Sequence, residues 1–136
     1  DTDGDWRGAG TAWHLADQGH EVTIITPKAT VGAMLARASG DGKLRAKLRS
    51  LGVRFVVESA LESWDGKAAV VVDLLDHTTS RMEADTLVTA TINAPRRALA
   101  EALHAHGDKV ISIGDGLAAR DAQVAIYEGR KVALGF

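Results

Sequence analysis

Asp1-Thr2-Asp3-Gly4-Asp5-Trp6-Arg7-Gly8-Ala9-Gly10-Thr11-Ala12 is the stretch on which the fold turns. A helix pattern follows it, through Trp13, Leu15 and Ala16 to Gly19, and then an apolar run, Val22-Thr23-Ile24-Ile25. Glycine-rich turn, helix, strand is the order of a βαβ unit that holds a dinucleotide. Aligned by the helix, with Ala12 and Leu15 on the side that packs on a sheet, Gly8 takes the third glycine position of G-x-G-x-x-G. The first two positions then fall on Asp3 and Asp5. Those glycines normally let the backbone approach a pyrophosphate at the helix N-terminus. Carboxylates there set like charge against like, at about 1 kcal/mol for a pair roughly 4 Å apart in water. The other register, Gly8-x-Gly10-x-x-Trp13, puts an indole at the third glycine. Two readings stand side by side. One is a Rossmann-type unit whose nucleotide turn has decayed; the other is an acidic helix N-terminus that suits the helix dipole and never bound a nucleotide. Both make this turn a poor NAD site.

The bulk numbers bound the answer. A chain of 136 residues is one domain or slightly more. With 46% hydrophobic and 25% charged residues, it has the composition of a globular protein. A formal net charge of -2 gives no electrostatic case for nucleic acid or an anionic membrane. The absence of cysteine excludes disulfides and cysteine-ligated zinc or iron–sulfur sites within the chain, and it fits a reducing, cytoplasmic setting. No apolar run has the length of a membrane span, and the acidic start is no signal peptide. No apolar strand precedes Asp1. The expectation is therefore a unit whose first, central strand is missing from this chain and lies in a longer polypeptide.

Residues 6–18 read as a helix closed by Gly19, and residues 21–26 as a strand closed by Pro27. No carboxylate ends that strand to hold ribose hydroxyls; the run is Thr26-Pro27-Lys28. Lys28 is read as a loop charge rather than a 2′-phosphate ligand. Met34 and Leu35 suit a single helical turn. Asp41 is placed as the cap of a second helix over 42–51, with Leu44, Leu48 and Leu51 on one face and Lys43, Arg45, Lys47 and Arg49 off it. Residues 53–57 are the next strand. The texture then changes. Residues 60–64, 68–75 and 80–83 read as antiparallel strands, with Asp65-Gly66 as a hairpin turn and Trp64 packed on the sheet. Residues 86–91 return as a buried parallel strand. Pro95 suits the first turn of a helix through His104. The last unit is a strand over 110–113 followed by Gly114-Asp115-Gly116 and a helix from Asp121 lined by Ala122, Ala125, Gly129 and Ala133.

Gly114 and Asp115 are the candidate cofactor-binding residues, of an ADP or flavin type. A carboxylate at that turn can accept from a ribose or ribityl hydroxyl; the plainer alternative is an aspartate that caps a turn. No catalytic residue and no metal site are assigned. His104-x-His106 ends a helix before Gly107, where imidazoles complement the dipole, and His14 and His20 have no acid–base partner in the sequence.

In this order the segments Gly19-His20-Glu21-Val22-Thr23-Ile24, Leu51-Gly52-Val53, residues 84–91 and Ile113-Gly114-Asp115 resemble two-domain flavoprotein disulfide reductases. The chain is similar there to the nicotinamide-nucleotide domain and to the return into the flavin-type domain. Within that superfamily the chain resembles the C-terminal region of trimethylamine dehydrogenase and its relatives. These are the histamine and dimethylamine dehydrogenases and others of the NADH:flavin oxidoreductase / dienoyl-CoA reductase group. The resemblance rests on the nucleotide turn without its glycines, the Gly-His-Glu-Val-Thr entry ending Thr26-Pro27, and Ile113-Gly114-Asp115-Gly116 with Ile126, Tyr127, Glu128, Gly129 and Arg130 in the last helix. It covers nearly the whole chain.

The resemblance implies an α/β fold: a Rossmann-like βαβ sheet with an antiparallel β-meander insertion. Residues 1–92 would be a degenerate NAD(P)-binding-like domain and 93–136 a return segment into an FAD/ADP-binding-like domain. It further implies a parent oxidoreductase whose TIM barrel carries FMN and a 4Fe-4S cluster and oxidises or N-demethylates an amine. The segment in hand would be non-catalytic, with ADP as its ligand and Asp115 as the matched contact. Ile92 stands where the superfamily's Ala-Thr-Gly exit has its glycine. The implied partners are the barrel, further copies in a homo-oligomer, and an electron-transfer flavoprotein. Two alternatives remain open: an NAD(P)H-binding domain that delivers hydride to a flavin, and a docking module for an electron-transfer partner.

Overall fold

The computed structural model describes residues 1–135, and the chain divides into two compact units, residues 1–91 and 92–136. The α/β class holds. Unit one contains a two-stranded parallel sheet and a three-stranded antiparallel sheet, in the chain order α1 (Trp6–Asp17), β1 (Thr23–Ile25), a 3₁₀ turn (Ala33–Ala38), α2 (Asp41–Ser50), β2 (Arg54–Val56), β3 (Ser59–Trp64), β4 (Ala68–Asp73) and β5 (Thr79–Glu83).

Helix α1 forms because its small residues recur at helical spacing. Ala9, Ala12 and Ala16 are all buried, and with no more than a methyl each they let the helix axis lie close to β1. Its end is set by Gly19, whose φ of +89° continues the chain in the left-handed region, while the N–H groups of Gln18, Gly19 and His20 satisfy the last carbonyls of the helix. The apolar stripe expected on α2 is present: Leu44 and Leu48 are buried and Leu51 packs against them. Asp41 is not its cap. It is the first helical residue, and its carboxylate pairs with Arg45 at 2.8 Å, one turn on. The off-stripe cations are mostly engaged: Lys47 reaches Asp17 and lies over the Trp13 ring, and Arg49 lies over Phe55.

Strands β1 and β2 pair in parallel, Thr23 with Arg54 and Ile25 with Val56, and α2 lies in the crossover that such a pair requires. After β2, Glu58 at φ +49° turns the chain into the antiparallel meander β3-β4-β5. The Asp65-Gly66 turn is where the sequence places it. Asp65 accepts from the N–H groups of Lys67 and Ala68, and its bond to the Arg81 guanidinium holds its carboxyl down to about 2. Trp64, expected to pack on the sheet, is 39% exposed at the end of β3.

Two expected strands do not form ladders. Residues 86–91 are assigned to no strand; Ala90 is their one buried residue, and Val88 is 53% exposed. A strand is a pairwise property, and no strand among the described residues runs beside this one. What pairs here is the start of the chain: the Asp1 amino group donates to Ile25 O at 2.6 Å and the Thr2 N–H to Ala90 O at 3.0 Å, so residues 1–2 bridge the two runs. Residues 110–113 likewise form no strand, and Ile111 stays exposed.

Unit two carries α3 (Ala98–His106), a 3₁₀ turn (Gly114–Gly116) and α4 (Ala122–Ala133). Pro95 lies ahead of α3 rather than in its first turn, because the helix begins only at Ala98 behind an Arg97 cap position. Gly107, at φ +96°, ends α3 in a left-handed turn, and Asp121 caps α4 by accepting from the Val124 N–H. No helix among the described residues is long and apolar enough to cross a membrane.

Leu48 is fully buried at the centre of the α1–α2–β1 core. Leu48→Ala should lower stability by about 2–5 kcal/mol, read as a fall in the urea midpoint. A loss under about 1 kcal/mol would mean that this core does not hold the unit together.

Candidate functional site

Two places answer to the sequence candidates, one in each unit. The first is the turn before α1. Asp3, aligned to the first glycine, pairs with Arg7 at 2.9 Å. Asp5, aligned to the second, is exposed and accepts from the Trp6 N–H at 2.7 Å as the helix cap. Neither carboxylate projects alone at the helix end. The acidic group that turns inward is that of the half-buried Asp1. Its Oδ1 accepts from the Gly4 N–H at 2.9 Å, and its Oδ2 is buried with no hydrogen-bond partner. The carboxylate lies against Gly8, where a Cβ would stand 2.6 Å from Asp1 Cγ. Gly8 therefore serves a close approach, as an aligned third glycine should, but the neighbour is a carboxylate. Gly4 takes φ +73°, and the methylenes of Lys28 lie over it, 2.7 Å from where a Cβ would be. The Arg7 guanidinium also reaches the Thr91 carbonyl at 3.1 Å.

The second place lies wholly in unit two. An open concavity of about 500 Å³ is lined by Asn93, Ala94, Arg96, Asp115, Gly116 and Ala119. It offers a guanidinium, a carboxylate, a carboxamide and a glycine backbone. Of the two sequence candidates, Asp115 lines it and Gly114 does not. Gly114 is buried behind the turn at φ +56°, and a Cβ there would meet Ala125 Cβ at 3.2 Å, so the glycine lets the 3₁₀ turn seat on α4. Its N–H donates to Glu128 Oε2 at 2.7 Å. Glu128 Oε1 accepts from Arg120 at 2.5 Å, and the Arg120 N–H makes a long bond of 3.4 Å to Asp115 Oδ1. Arg97 ties the same loop by donating to the Leu117 carbonyl at 3.2 Å. The Gly114 amide, with Arg120 beside it, holds the Glu128 carboxyl below the usual carboxylate range.

Sequence reasoning missed Arg96 and Arg120, and it named Glu128 only among the residues of the resemblance, with no role at the turn. Glu128 lies 14 residues from the amide it binds, and no local spacing rule links a 3₁₀ turn to the far side of the next helix. The small residues Ala125 and Gly129, which line α4, were the available signal: a Cβ on Gly114 would stand 3.2 Å from Ala125 Cβ, and one on Gly129 3.7 Å from Ile113 Cδ1. The histidines are not assembled with acids into a reactive group. His14 meets Gln18 at 3.3 Å, and His106 meets Asp108 at 3.2 Å at the exposed end of α3. No group of three or more His, Cys, Asp or Glu among the described residues could hold a metal ion.

Solved structures share this fold. Over its whole length the chain is similar to a segment of 6-hydroxypseudooxynicotine amine oxidase from Pseudomonas geniculata N1, at 28% identity and a TM-score of 0.87, covering 21% of that chain. It matches histamine dehydrogenase from Rhizobium sp. 4-9 over 98% of this chain and 22% of that one, at 22% identity and a TM-score of 0.88. It also matches 2-naphthoyl-CoA reductase over 94% of this chain and 19% of that one, at 22% identity and a TM-score of 0.72. The chain thus spans about a fifth of the length of the solved chains it matches. No protein-family model and no curated protein matches it. The resemblance to the histamine dehydrogenase group, drawn from short motifs in the sequence, is borne out by these structures.

The bond between Glu128 and the Gly114 amide has a pH signature. The folded-state value lies below the usual 4.5, so the stability this contact adds is present in full above 4.5 and is lost as pH falls through the lower, folded value. Carbon-detected titration of the Glu128 carboxyl should show that lowered midpoint, together with a shift of the Gly114 amide at the same pH. A midpoint at or above 4.5 would mean the bond does not form.

Proposed function

We propose that this chain, similar over its full length to a segment of amine-oxidising enzymes, is the nucleotide-binding-like, non-catalytic portion of a flavin-dependent amine dehydrogenase or oxidase. The observation that carries the reading is the turn before α1. It keeps the helix, the close glycine at Gly8 and the following strand of a dinucleotide unit, while the Asp1 carboxylate lies against that glycine. A pyrophosphate approaching that turn meets Asp1 at the Gly4 amide. The two domains of the reading are residues 1–92, a Rossmann-like NAD(P)-type unit that no longer takes the dinucleotide, and residues 93–136, a return into an FAD/ADP-type unit. The bonds of residues 1–2 to Ile25 on one side and Ala90 on the other support a central strand running into Asp1, which would give 86–91 its ladder.

The concavity of unit two fits an ADP-like ligand better than the α1 turn does. In this reading Asp115 accepts from ribose hydroxyls and Arg96 binds a phosphate; both line the concavity, which supports it. In this reading FMN and a 4Fe-4S cluster belong to the parent enzyme's barrel and supply the redox chemistry there. The chain holds no cysteine with which to ligate a cluster. The exposed apolar side chains of unit two, Leu99, Ile111, Ile126 and Leu134 among them, favour packing against the rest of that enzyme, against further copies or against an electron-transfer partner.

Titration of the full chain with ADP and with NADH, followed by amide shifts, tests the reading. ADP should move Arg96, Asp115 and Gly116 saturably. Asp115→Ala should weaken it by at least tenfold, and NADH should leave Gly4 through Gly10 unmoved. Saturable NADH shifts across Gly4 to Gly10 would overturn the degenerate reading in favour of hydride delivery. Absence of any ADP effect at Asp115 would remove the ligand assignment.

A further inference from the structure

The sequence alignment assigns the loss of the nucleotide turn to Asp3 and Asp5, the residues that replace glycines. The geometry points to a different residue. We propose that Asp1 is the specificity-determining residue of the turn: its carboxylate is a built-in anion that takes the place of a phosphate and rejects phosphate-bearing ligands from the head of α1.

Asp3 and Asp5 are each accounted for by a partner. Asp3 is neutralised by Arg7, and Asp5 caps the first turn through the Trp6 N–H, a role that a nucleotide-binding helix can also accommodate. Asp1 is different in three respects. It accepts from the Gly4 N–H, an inward-facing backbone donor of the turn. It fills the space over Gly8 that the missing Cβ leaves, with all three carboxylate atoms within 2.9 Å of that Cβ position. Its second oxygen is buried without a hydrogen-bond partner. A carboxylate oxygen buried without a hydrogen bond costs stability. The positive end of the α1 dipole attracts the carboxylate as it would attract a phosphate oxygen. A ligand phosphate brought to the same amide would meet that charge at contact distance. Lys28, whose methylenes cover Gly4, leaves the turn with a nearby cation once the carboxylate is gone.

This rests on the degenerate-turn reading but is tested separately from the ADP assignment. The probe is pyrophosphate, titrated against the full chain and against Asp1→Ala, Asp1→Asn, Asp3→Asn and Asp5→Asn, with amide shifts read at Gly4 and Gly8 and, in the same spectra, ADP shifts at Asp115. The wild-type chain should show no saturable shift at Gly4 or Gly8. Asp1→Ala should gain saturable binding there, tighter by tenfold or more than any residual wild-type effect. Asp1→Asn, which keeps an acceptor for Gly4 and removes the charge, should gain in the same direction by a smaller factor and guards against a fold lost in the alanine variant. Asp3→Asn and Asp5→Asn should stay blind. Pyrophosphate binding at Gly4 and Gly8 in the wild type, or gain in Asp3→Asn or Asp5→Asn without gain in a folded Asp1 variant, would overturn the proposal. Failure of the ADP shift at Asp115 alone would leave it standing.

Discussion

The close approach of α1 to β1 is the constraint on which the rest of unit one depends. Ala9, Ala12 and Ala16 present only methyl groups to Ile24 and Leu48, and Gly8 presents none. A helix that packs at this distance fixes where its N-terminus falls relative to the strand ends, and so fixes the turn of residues 1–5. It also decides which side chains of α2 reach the core, since Leu44 and Leu48 fill the space beside the alanines. Larger residues at 9 or 12 would push the helix out and open the turn. The packing of α1 on β1 thus sets the shape of the turn independently of any ligand.

Within that geometry the two units treat a turn amide in the same chemical way. In unit one the Gly4 N–H is bound by Asp1, and in unit two the Gly114 N–H is bound by Glu128. Each amide belongs to a glycine at positive φ. In each case an internal carboxylate satisfies a donor that a nucleotide-binding turn leaves for a phosphate. The two differ in surroundings. Glu128 also holds Arg120, so its charge is balanced at the surface, whereas Asp1 keeps an unpartnered buried oxygen. The concavity of unit two is lined by both Arg96 and Asp115, a cation and a carboxylate.

Much of this was legible in the sequence, and for identifiable reasons. The small-residue spacing of α1, the leucine stripe of α2 and the Asp65-Gly66 hairpin are local signals, and each appears within a residue or two of where the pattern puts it. Residues 86–91 and 110–113 look like strands for an equally sound local reason, their branched apolar runs, yet form no ladder, because pairing depends on a neighbour and not on the run itself. The site was legible only in outline. Asp115 stands out by its position after an apolar run, but nothing local identifies Arg96, Arg120 or Glu128. The alignment of glycines also drew attention to Asp3 and Asp5, since a motif compares positions and cannot say which carboxylate turns inward.

The distribution of apolar burial separates the roles of the two units. Every buried hydrophobic residue described belongs to residues 9–90, while α3 and α4 bury none. Unit one therefore carries a core that can hold its turn in a fixed shape, and a buried unbonded oxygen is tolerable there only because that core over-determines it. Unit two is ordered by polar ties, Glu128 to Gly114, Arg97 to Leu117 and Asp121 to Val124. Such ties are individually worth about 1 kcal/mol in net terms, and they orient a loop more readily than they hold a domain together. A ligand that bridges Arg96 and Asp115 would add to the same set of ties. Binding and ordering in unit two are then one process, whereas in unit one the core fixes the turn before any ligand arrives.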